Sequence, residues 1–468
     1  MLKLNFKPIF ATIPKKLKIS TLPLSVSSSL QSVRENVSNN LITSINPLSP
    51  PTSAYIHLPF CRKRCHYCDF PIVALGSMNQ FEDDPRIINY VQLICREIKA
   101  TKPISTTNPP LETLFFGGGT PSLVPPKLVS SIIQVLKENF GVCSNAEISI
   151  EMDPGTFDEM KMRELLELGV NRVSLGVQAF QQELLKKCGR AHGLEEVHDA
   201  IGIVKSSGLE NWSLDLISSL PHQTLEMWEE SLELAVKASP THVSVYDLQV
   251  EQGTKFGNLY TPGEFPLPSE TQSAEFYKMA SKTLSKAGYE HYEISSYCKK
   301  GYMCKHNVTY WQNRAFYGFG LGSASYLGGM RFSRPKKMKE YMGYVQDLED
   351  GLVLNYQQNI HVDTKDLAMD VVMLSLRTSV GLHLKSFGES FGSSLVSSLC
   401  KTFQPHVASG HVVPLDVKQI SLNADEFNSI LSDEGKIEDV VAYIRLSDPE
   451  GFLLSNELIS SAFGVIAP

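Results

Sequence analysis

Three cysteines fall within one short stretch, Cys61-Arg62-Lys63-Arg64-Cys65-His66-Tyr67-Cys68. A zinc knuckle pairs Cys-x2-Cys units and completes a tetrahedron with a fourth ligand, and no second pair follows nearby. Thiolates spaced this way on one loop can instead each take one iron of a cubane [4Fe-4S] cluster, for which four cysteines are the norm. A missing fourth protein ligand leaves one iron open to a small molecule, as in catalytic rather than closed metal sites. Arg62, Lys63 and Arg64 would offset part of the anionic charge of such a cluster. Three unrelated loop cysteines, or an irregular zinc site, are the blander alternatives.

Further along the chain, Phe115-Phe116-Gly117-Gly118-Gly119-Thr120-Pro121 joins an apolar run to a glycine run. Glycines there let the backbone approach a ligand closely and leave N–H and C=O groups unhindered, although tight turns use the same residues. Glu151 and Gln178 cap apolar runs, Arg190 follows one helical segment later, and Asp215 interrupts the apolar run Trp212–Ile217. A buried acid needs a partner or a ligand, so Asp215 reads as ligand-facing. Singly, each could be a satisfied core polar group. On successive strands, one shared pocket explains them better. Cys304 and His306 are both competent axial ligands for heme iron, and Tyr310 and Trp311 could stack on a macrocycle. The alternative makes His306, Asn307 and Trp311 a barrel–tail junction, with the histidine hydrogen-bonded in place. Cys95, Cys143, Cys188 and Cys400 read as buried thiols.

These residues need elements to hold them. Strand-like runs occur at Ala54–Leu58, Leu111–Phe116, Glu147–Glu151, Arg172–Val177, Trp212–Ile217, His242–Leu248 and His291–Ser295. Between them lie amphipathic stretches. Lys127–Phe140 puts Leu128, Ile132, Val135 and Leu136 on one face, and Glu195–Ser207 does so with Val197, Ile201 and Val204. Several stop at glycine before the next strand, as in Leu168-Gly169-Val170, Ser207-Gly208-Leu209 and Ala287-Gly288-Tyr289, where a left-handed cap reverses the chain. The pattern predicts an α/β fold with a parallel sheet, a partial (β/α)6 barrel, whose chemistry gathers at the C-terminal strand ends.

Composition sets the outer bounds. The chain has 468 residues, of which 42% are hydrophobic and 20% charged, which excludes global disorder and a collagen-like repeat. Nine cysteines over this length are too sparse for a disulfide scaffold, and no run reaches the ~18 apolar residues of a spanning helix. The net charge of −7 argues against a nucleic-acid surface. The basic run Arg331–Lys339 reads as a solvated face.

Residues 1–50 differ: Lys3, Lys7, Lys15, Lys16, Lys18 and Arg34 face one acid, Glu35, among many serines. This is the composition of a chloroplast or mitochondrial transit peptide, closed by the linker Asn46-Pro47-Leu48-Ser49-Pro50-Pro51. A basic tail with no address is the alternative; without an organelle the protein would be cytoplasmic. The expected organisation is a transit peptide and linker over 1–50, a barrel over 51–295, a connecting segment over 296–360 and a C-terminal domain over 361–468. In the last, Lys365–Thr378 reads as a helix, Ile444–Ser447 and Gly451–Asn456 as a hairpin-like pair, and Glu457 opens a final helix.

With Cys-x3-Cys-x2-Cys at a strand end, the chain resembles the radical S-adenosylmethionine (SAM) family. The resemblance implies a [4Fe-4S] cluster on Cys61, Cys65 and Cys68 whose unique iron chelates SAM. It also implies an electron donor and C–S homolysis to a 5′-deoxyadenosyl radical. Implied SAM contacts are Tyr55, Tyr67, Gly118, Gly119, Thr120, Glu151, Gln178, Arg190 and Asp215. Tyr55-x-His57-x-Pro59-Phe60-Cys61 and Gly-Gly-Gly-Thr-Pro resemble the group holding oxygen-independent coproporphyrinogen III oxidases and the related heme chaperones. The oxidases carry another cysteine two residues past the third, where this chain has Phe70. The chaperones carry His-Asn-x-x-Tyr-Trp, here His306-Asn307-Val308-Thr309-Tyr310-Trp311. The resemblance therefore implies heme binding, with Cys304 and His306 as candidate heme contacts, delivery to a heme-accepting protein, and a winged-helix-like C-terminal domain. The rival expectation is oxidative decarboxylation of coproporphyrinogen III propionates; a zinc-stabilised interaction module is the distant third.

Overall fold

A computed structural model describes residues 49–76, 81–103, 109–352, 363–433 and 437–467. The transit-peptide expectation lies outside these residues, save the last three positions of its linker, Ser49-Pro50-Pro51. No described helix is long and apolar enough to cross a membrane.

Strict alternation builds the strands. β1 (Ser53–Leu58) sends Ala54, Ile56 and Leu58 to one face and Ser53, Tyr55 and His57 to the other. β2 (Leu111–Gly118), β3 (Val142–Met152), β4 (Arg172–Gln178), β5 (Trp212–Ser218) and β6 (His242–Asp247) follow, each parallel to its predecessor. The apolar set, including Ile56, Leu114, Ile150, Leu175, Leu214 and Val243, joins helix residues such as Ile94, Ile132, Val197 and Leu232 in one core. The helices Pro126–Phe140 and Leu194–Ser206 stand where periodicity places them. Gly169, Gly208 and Gly288 all hold positive φ after helices, as their caps require.

The opposite strand face is unusual for a barrel. Packed (β/α) barrels fill their interior with branched apolar side chains. Here β1–β6 contribute Ser53, Thr113, Glu147, Ser149, Glu151, Arg172, Ser174, Ser213, Asp215, His242 and Ser244. The sheet also stays open, with order β9-β1-β2-β3-β4-β5-β6-β8-β7, where β7 is Glu290–Glu293, β8 Ser296–Cys298 and β9 Tyr317–Phe319. The expected seventh strand His291–Ser295 is thus corrected: it ends at Glu293, and the chain turns back as β8, antiparallel to both β6 and β7. The 296–360 segment is no mere connector, because β9 extends the sheet beside β1 and helix Lys305–Trp311 packs on the polar strand faces.

The basic run is also corrected. Lys336, Lys337 and Lys339 are exposed, but Arg331 bonds Asn313 and Asp370 and Arg334 is only 3% exposed. Arg334 Nε donates to Glu97 Oε1 at 2.7 Å, while Tyr341 OH and the Gly320 N–H donate to Glu97 Oε2 at 2.6 and 2.8 Å. This pair ties the β9 edge to helix Pro85–Ala100. Glu97→Ala would strand a buried guanidinium and should destabilise the protein by ~3–5 kcal/mol, read in urea titrations. A loss below about 1 kcal/mol, the range of surface ion pairs, would contradict it.

In the C-terminal part the helix Thr364–Leu376 is present, but the hairpin is not. Strand Tyr443–Leu446 pairs with Val412–Leu415 and Leu382–His383, and Gly451–Asn456 is helical, in Glu450–Leu453 and the start of Ser455–Ile466. A short apolar run cannot by itself tell strand from helix. Gly451 fits because a Cβ there would sit 2.2 Å from the His411 carbonyl oxygen.

Candidate functional site

The cysteine loop leaves β1 at its C-terminal end, as the barrel rule predicts. It is stitched in place on every side. The Val73 N–H donates to the Pro59 carbonyl and the Leu75 N–H to the Cys61 carbonyl. His66 N–H bonds the Cys188 carbonyl, its Nδ1–H donates to the Lys187 carbonyl at 2.7 Å, and its carbonyl accepts from the Phe256 N–H. Arg64 Nη1 closes the loop on the Cys68 and Phe70 carbonyls. Arg62 turns to the Pro154 carbonyl at 2.9 Å. Arg62 and Arg64 direct these hydrogen bonds to backbone oxygens rather than to sulfur. The cation on a cysteine sulfur is Arg190, with Nη1 3.4 Å from Cys65 Sγ.

Cys61, Cys65 and Cys68 are all partly exposed and unpaired. Burial pushes the Cys61 thiol up to about 12, and it raises Cys68 as well. Thr120 Oγ1 donates to Cys61 Sγ at 3.5 Å. Among the described residues no three His, Cys, Asp or Glu side chains converge on one ion. Three ligands to three separate irons need no such convergence.

Beside the loop, the glycine run admits nothing larger. A Cβ on Gly117 would meet Tyr55 Cε2 at 2.9 Å, one on Gly118 the His57 ring at 2.7 Å, and one on Gly119 the Phe60 carbonyl oxygen at 2.6 Å. Gly118 also holds φ +118°. Its N–H donates to Glu151 Oε2 at 2.9 Å, and burial raises the Glu151 carboxyl. Tyr55 lies beneath the run, 1% exposed, its hydroxyl 3.1 Å from His57 Nδ1. His57 Nε2 is 3.1 Å from the Pro71 carbonyl, which accepts only, so Nε2 carries the proton and Tyr55 donates to Nδ1. Burial holds His57 neutral, at about 4. Gln178 ends β4 with φ +70°, a conformation that non-glycine residues keep mainly where surrounding structure enforces it. Asp215 accepts from Ser174 Oγ at 2.8 Å and Ser213 Oγ at 3.1 Å.

Arg190 joins these parts. Nη1 donates to Tyr67 OH at 3.0 Å as well as to Cys65, and Nη2 donates to Asp153 and to the Gly176 carbonyl at 3.1 Å. Its Nε is buried without a partner. An orphaned donor and a cradle cut for glycine suit an anionic, hydrogen-bonding ligand next to the sulfurs. The structure thus gathers Cys61, Cys65, Cys68, Tyr67, Gly118, Gly119, Thr120, Glu151 and Arg190 round one loop, with Gln178 at a strand end and Asp215 on the shared polar face.

Cys304 and His306 belong elsewhere. Cys304 clusters with Tyr55 and Phe115 and is fully buried. His306 Nδ1 bonds Thr113 Oγ1 and Nε2 bonds Tyr310 OH, both at 2.7 Å, and its ring stacks on Phe115. Burial, with Arg172 adding to it, lowers His306 to about 3. Thr309 Oγ1 meets Ser53 Oγ at 3.0 Å. The two nitrogens of His306 are thus both hydrogen-bonded in place.

Sequence reasoning missed Asp153, which meets Arg190 only in the fold, and His192, which faces Asp153. One signal existed: Asp153 continues the alternation Glu147, Ser149, Glu151, which keeps it on the inward face.

Known proteins resemble this chain in sequence and in fold. Residues 55–235 match the radical SAM superfamily. The chain is 38% identical over 420 residues to heme chaperone HemW of Synechocystis sp., covering 89% of this chain and 97% of that protein. Heme chaperone HemW of Bacillus subtilis is 37% identical over 347 residues, 73% of this chain and 88% of that protein. The solved structure of coproporphyrinogen III oxidase (HemN) from Escherichia coli superposes with a TM-score of 0.68 over 92% of this chain and 93% of that one, at 21% identity, which establishes a common fold. Nearly full-length identity of this level places the chain in the heme chaperone HemW family of radical SAM proteins.

Proposed function

We propose that this protein binds heme and hands it to an acceptor protein, holding a [4Fe-4S] cluster on Cys61, Cys65 and Cys68 with SAM beside it. The observation that carries the reading is the 38% identity to a named heme chaperone along 97% of its length. Phe70 in place of a further cysteine and the His306–Trp311 motif support the same branch. When bound, a cluster with an open iron supplies an electron and a chelating corner. The protein's own part is positional. Gly118 and Gly119 admit the ligand against the backbone, Glu151 and Asp215 offer acceptors, and Arg190 Nε–H offers a donor to a carboxylate. The basic, acid-poor residues 1–50 support import into a chloroplast or mitochondrion.

Heme contact through Cys304 and His306 is part of this reading, and it has a structural condition. Helix Lys305–Trp311 must leave the strand faces, breaking the bonds to Thr113 and freeing Nε2 from Tyr310.

The test is anaerobic reconstitution followed by hemin. Heme should stay with the protein through gel filtration, give a protein-bound Soret band, and pass to apomyoglobin as a probe acceptor. Coproporphyrinogen III should release no CO2. Decarboxylation with no heme retained would overturn the proposal. The Cys304→Ser/His306→Ala protein should bind heme at least about tenfold more weakly, roughly 1.4 kcal/mol, with iron content unchanged. Undiminished affinity would remove those two residues as ligands while leaving the chaperone reading standing.

A further inference from the structure

One partly buried carboxylate lies among two guanidinium groups and an imidazole behind the cysteine loop. Asp153 takes Arg190 Nη2 on Oδ1, has His192 Nδ1 3.4 Å from the same oxygen, and lies 4.0 Å from Arg62 Nη2. Its own side chain is 15% exposed and that of Arg190 11%. Burial opposes ionisation of Asp153, but Arg190, His192 and Arg62 together hold its carboxyl below the ordinary range. The pairing is mutual, since Arg190 is held charged by Asp153 against its own burial. A buried pair of this kind contributes little net stability compared with apolar packing. Its effect is orientational.

The orientation is specific. A guanidinium has five N–H bonds in one rigid plane. On Arg190, Nη2 is committed to Asp153 and Gly176, Nη1 to Tyr67 and Cys65, and Nε to nothing. Fixing Nη2 on Asp153 therefore fixes where Nη1 and Nε point. Nη1 meets a cysteine sulfur, and Nε is left without a partner.

We propose that Asp153 is a positioning residue: it locks the Arg190 guanidinium so that one N–H stays on the Cys65 sulfur, and in this way it sets the reduction potential of the cluster held by Cys61, Cys65 and Cys68. The inference rests on the cluster reading above. Hydrogen bonds to cluster sulfurs stabilise the more negative, reduced state and raise the potential.

Charge alone and positioning predict opposite signs on removing the carboxylate. If Arg190 stays in place, Asp153→Asn deletes a negative charge near the cluster, and reduction becomes easier. If Asp153 is what holds Arg190, the arginine leaves, and a cation 3.4 Å from a ligand sulfur is lost together with its hydrogen bond. Coulomb energy falls with distance, so loss of the nearer group dominates.

The experiment uses the full-length chain, reconstituted anaerobically without SAM, with iron and sulfide assayed and the cluster potential measured by EPR-monitored redox titration. Asp153→Asn should retain its cluster and show a more negative potential. A tenfold drop in the reduction equilibrium constant corresponds to ~59 mV for one electron. Asp153→Glu, which keeps the carboxylate, should restore most of the shift. Should Asp153→Asn fail to hold iron, Arg190→Lys decides: it keeps the charge but cannot serve Asp153 and Cys65 together, and its potential should also fall. An unchanged or more positive potential in Asp153→Asn with full iron would overturn the proposal while sparing the cluster reading. Wild-type protein without iron or sulfide would remove both.

Discussion

Cys65→Ala protein, purified and reconstituted without oxygen, is expected to lose nearly all of its iron and acid-labile sulfide while its far-ultraviolet circular dichroism stays that of the wild type. The metal loss follows from ligand count. With three cysteines and no fourth, each thiolate carries one of the three protein bonds to the cluster, and its loss should exceed the about 10–100-fold that removal of a supporting partner outside the ligand shell takes from metal affinity. The fold should survive, because the loop does not rely on its thiols. His66 fastens it to the Lys187 and Cys188 carbonyls, Arg64 to those of Cys68 and Phe70, and Val73 and Leu75 to the chain beside Cys61. Cys188→Ala is the matched control. Cys188 is 1% exposed, and burial pushes its thiol up to about 12. It packs near the loop but outside the proposed ligand set, so iron content should hold. Equal iron in Cys65→Ala and wild type would remove the three-cysteine cluster from this protein.

What the sequence made legible was whatever is encoded over short distances. The cysteine spacing, the glycine run, the Gly169 and Gly208 caps and the alternating strands each lie within a dozen residues, so local pattern suffices. Pairings closed by the fold were not legible. Arg190 could be named, but its partner Asp153 lies 37 positions away. Glu97 meets Arg334 across 237 positions, which is how part of a basic run came to look solvated. His306 shows the same limit from another side. A histidine among aromatics is chemically ambiguous until the partners of its two nitrogens are known, and Thr113 is 193 positions from it. Other polar strand members, such as Ser149, Ser174, Ser213 and Ser244, were visible but carried no assignment, because alternation marks a face without saying whether that face meets water, a ligand or a helix. Here part of it meets helix Lys305–Trp311 and part the proposed SAM site.

The glycine run supplies the second large effect, and Gly118 and Gly119 act for different reasons. Gly118 is bound by its backbone, φ +118°, as well as by the His57 ring. Gly119 is bound by space alone. An added methyl would sit 2.6 Å from the Phe60 carbonyl oxygen and 2.7 Å from the Pro59 carbonyl carbon. Those are main-chain atoms, which cannot turn aside as a side chain could, and Phe60 leads directly into Cys61. Gly119→Ala must therefore push the glycine run away from the cysteine strand. Overpacking of this kind takes ~1–3 kcal/mol from stability, or roughly 2–4 °C of melting temperature for each kcal/mol in domains of 150–250 residues. The ligand side should lose more. Movement of the run displaces Thr120 from Cys61 and the Gly118 N–H from Glu151, so SAM affinity by equilibrium dialysis should fall at least about tenfold, roughly 1.4 kcal/mol. Gly202→Ala gives the contrast within the same protein. It lies inside helix Leu194–Ser206 with nothing within 4 Å of an added Cβ. There alanine should raise stability by ~0.5–1 kcal/mol through lower backbone entropy in the unfolded chain, with SAM affinity unchanged. If Gly119→Ala binds SAM as tightly as Gly202→Ala does, the ligand does not lie against the glycine run.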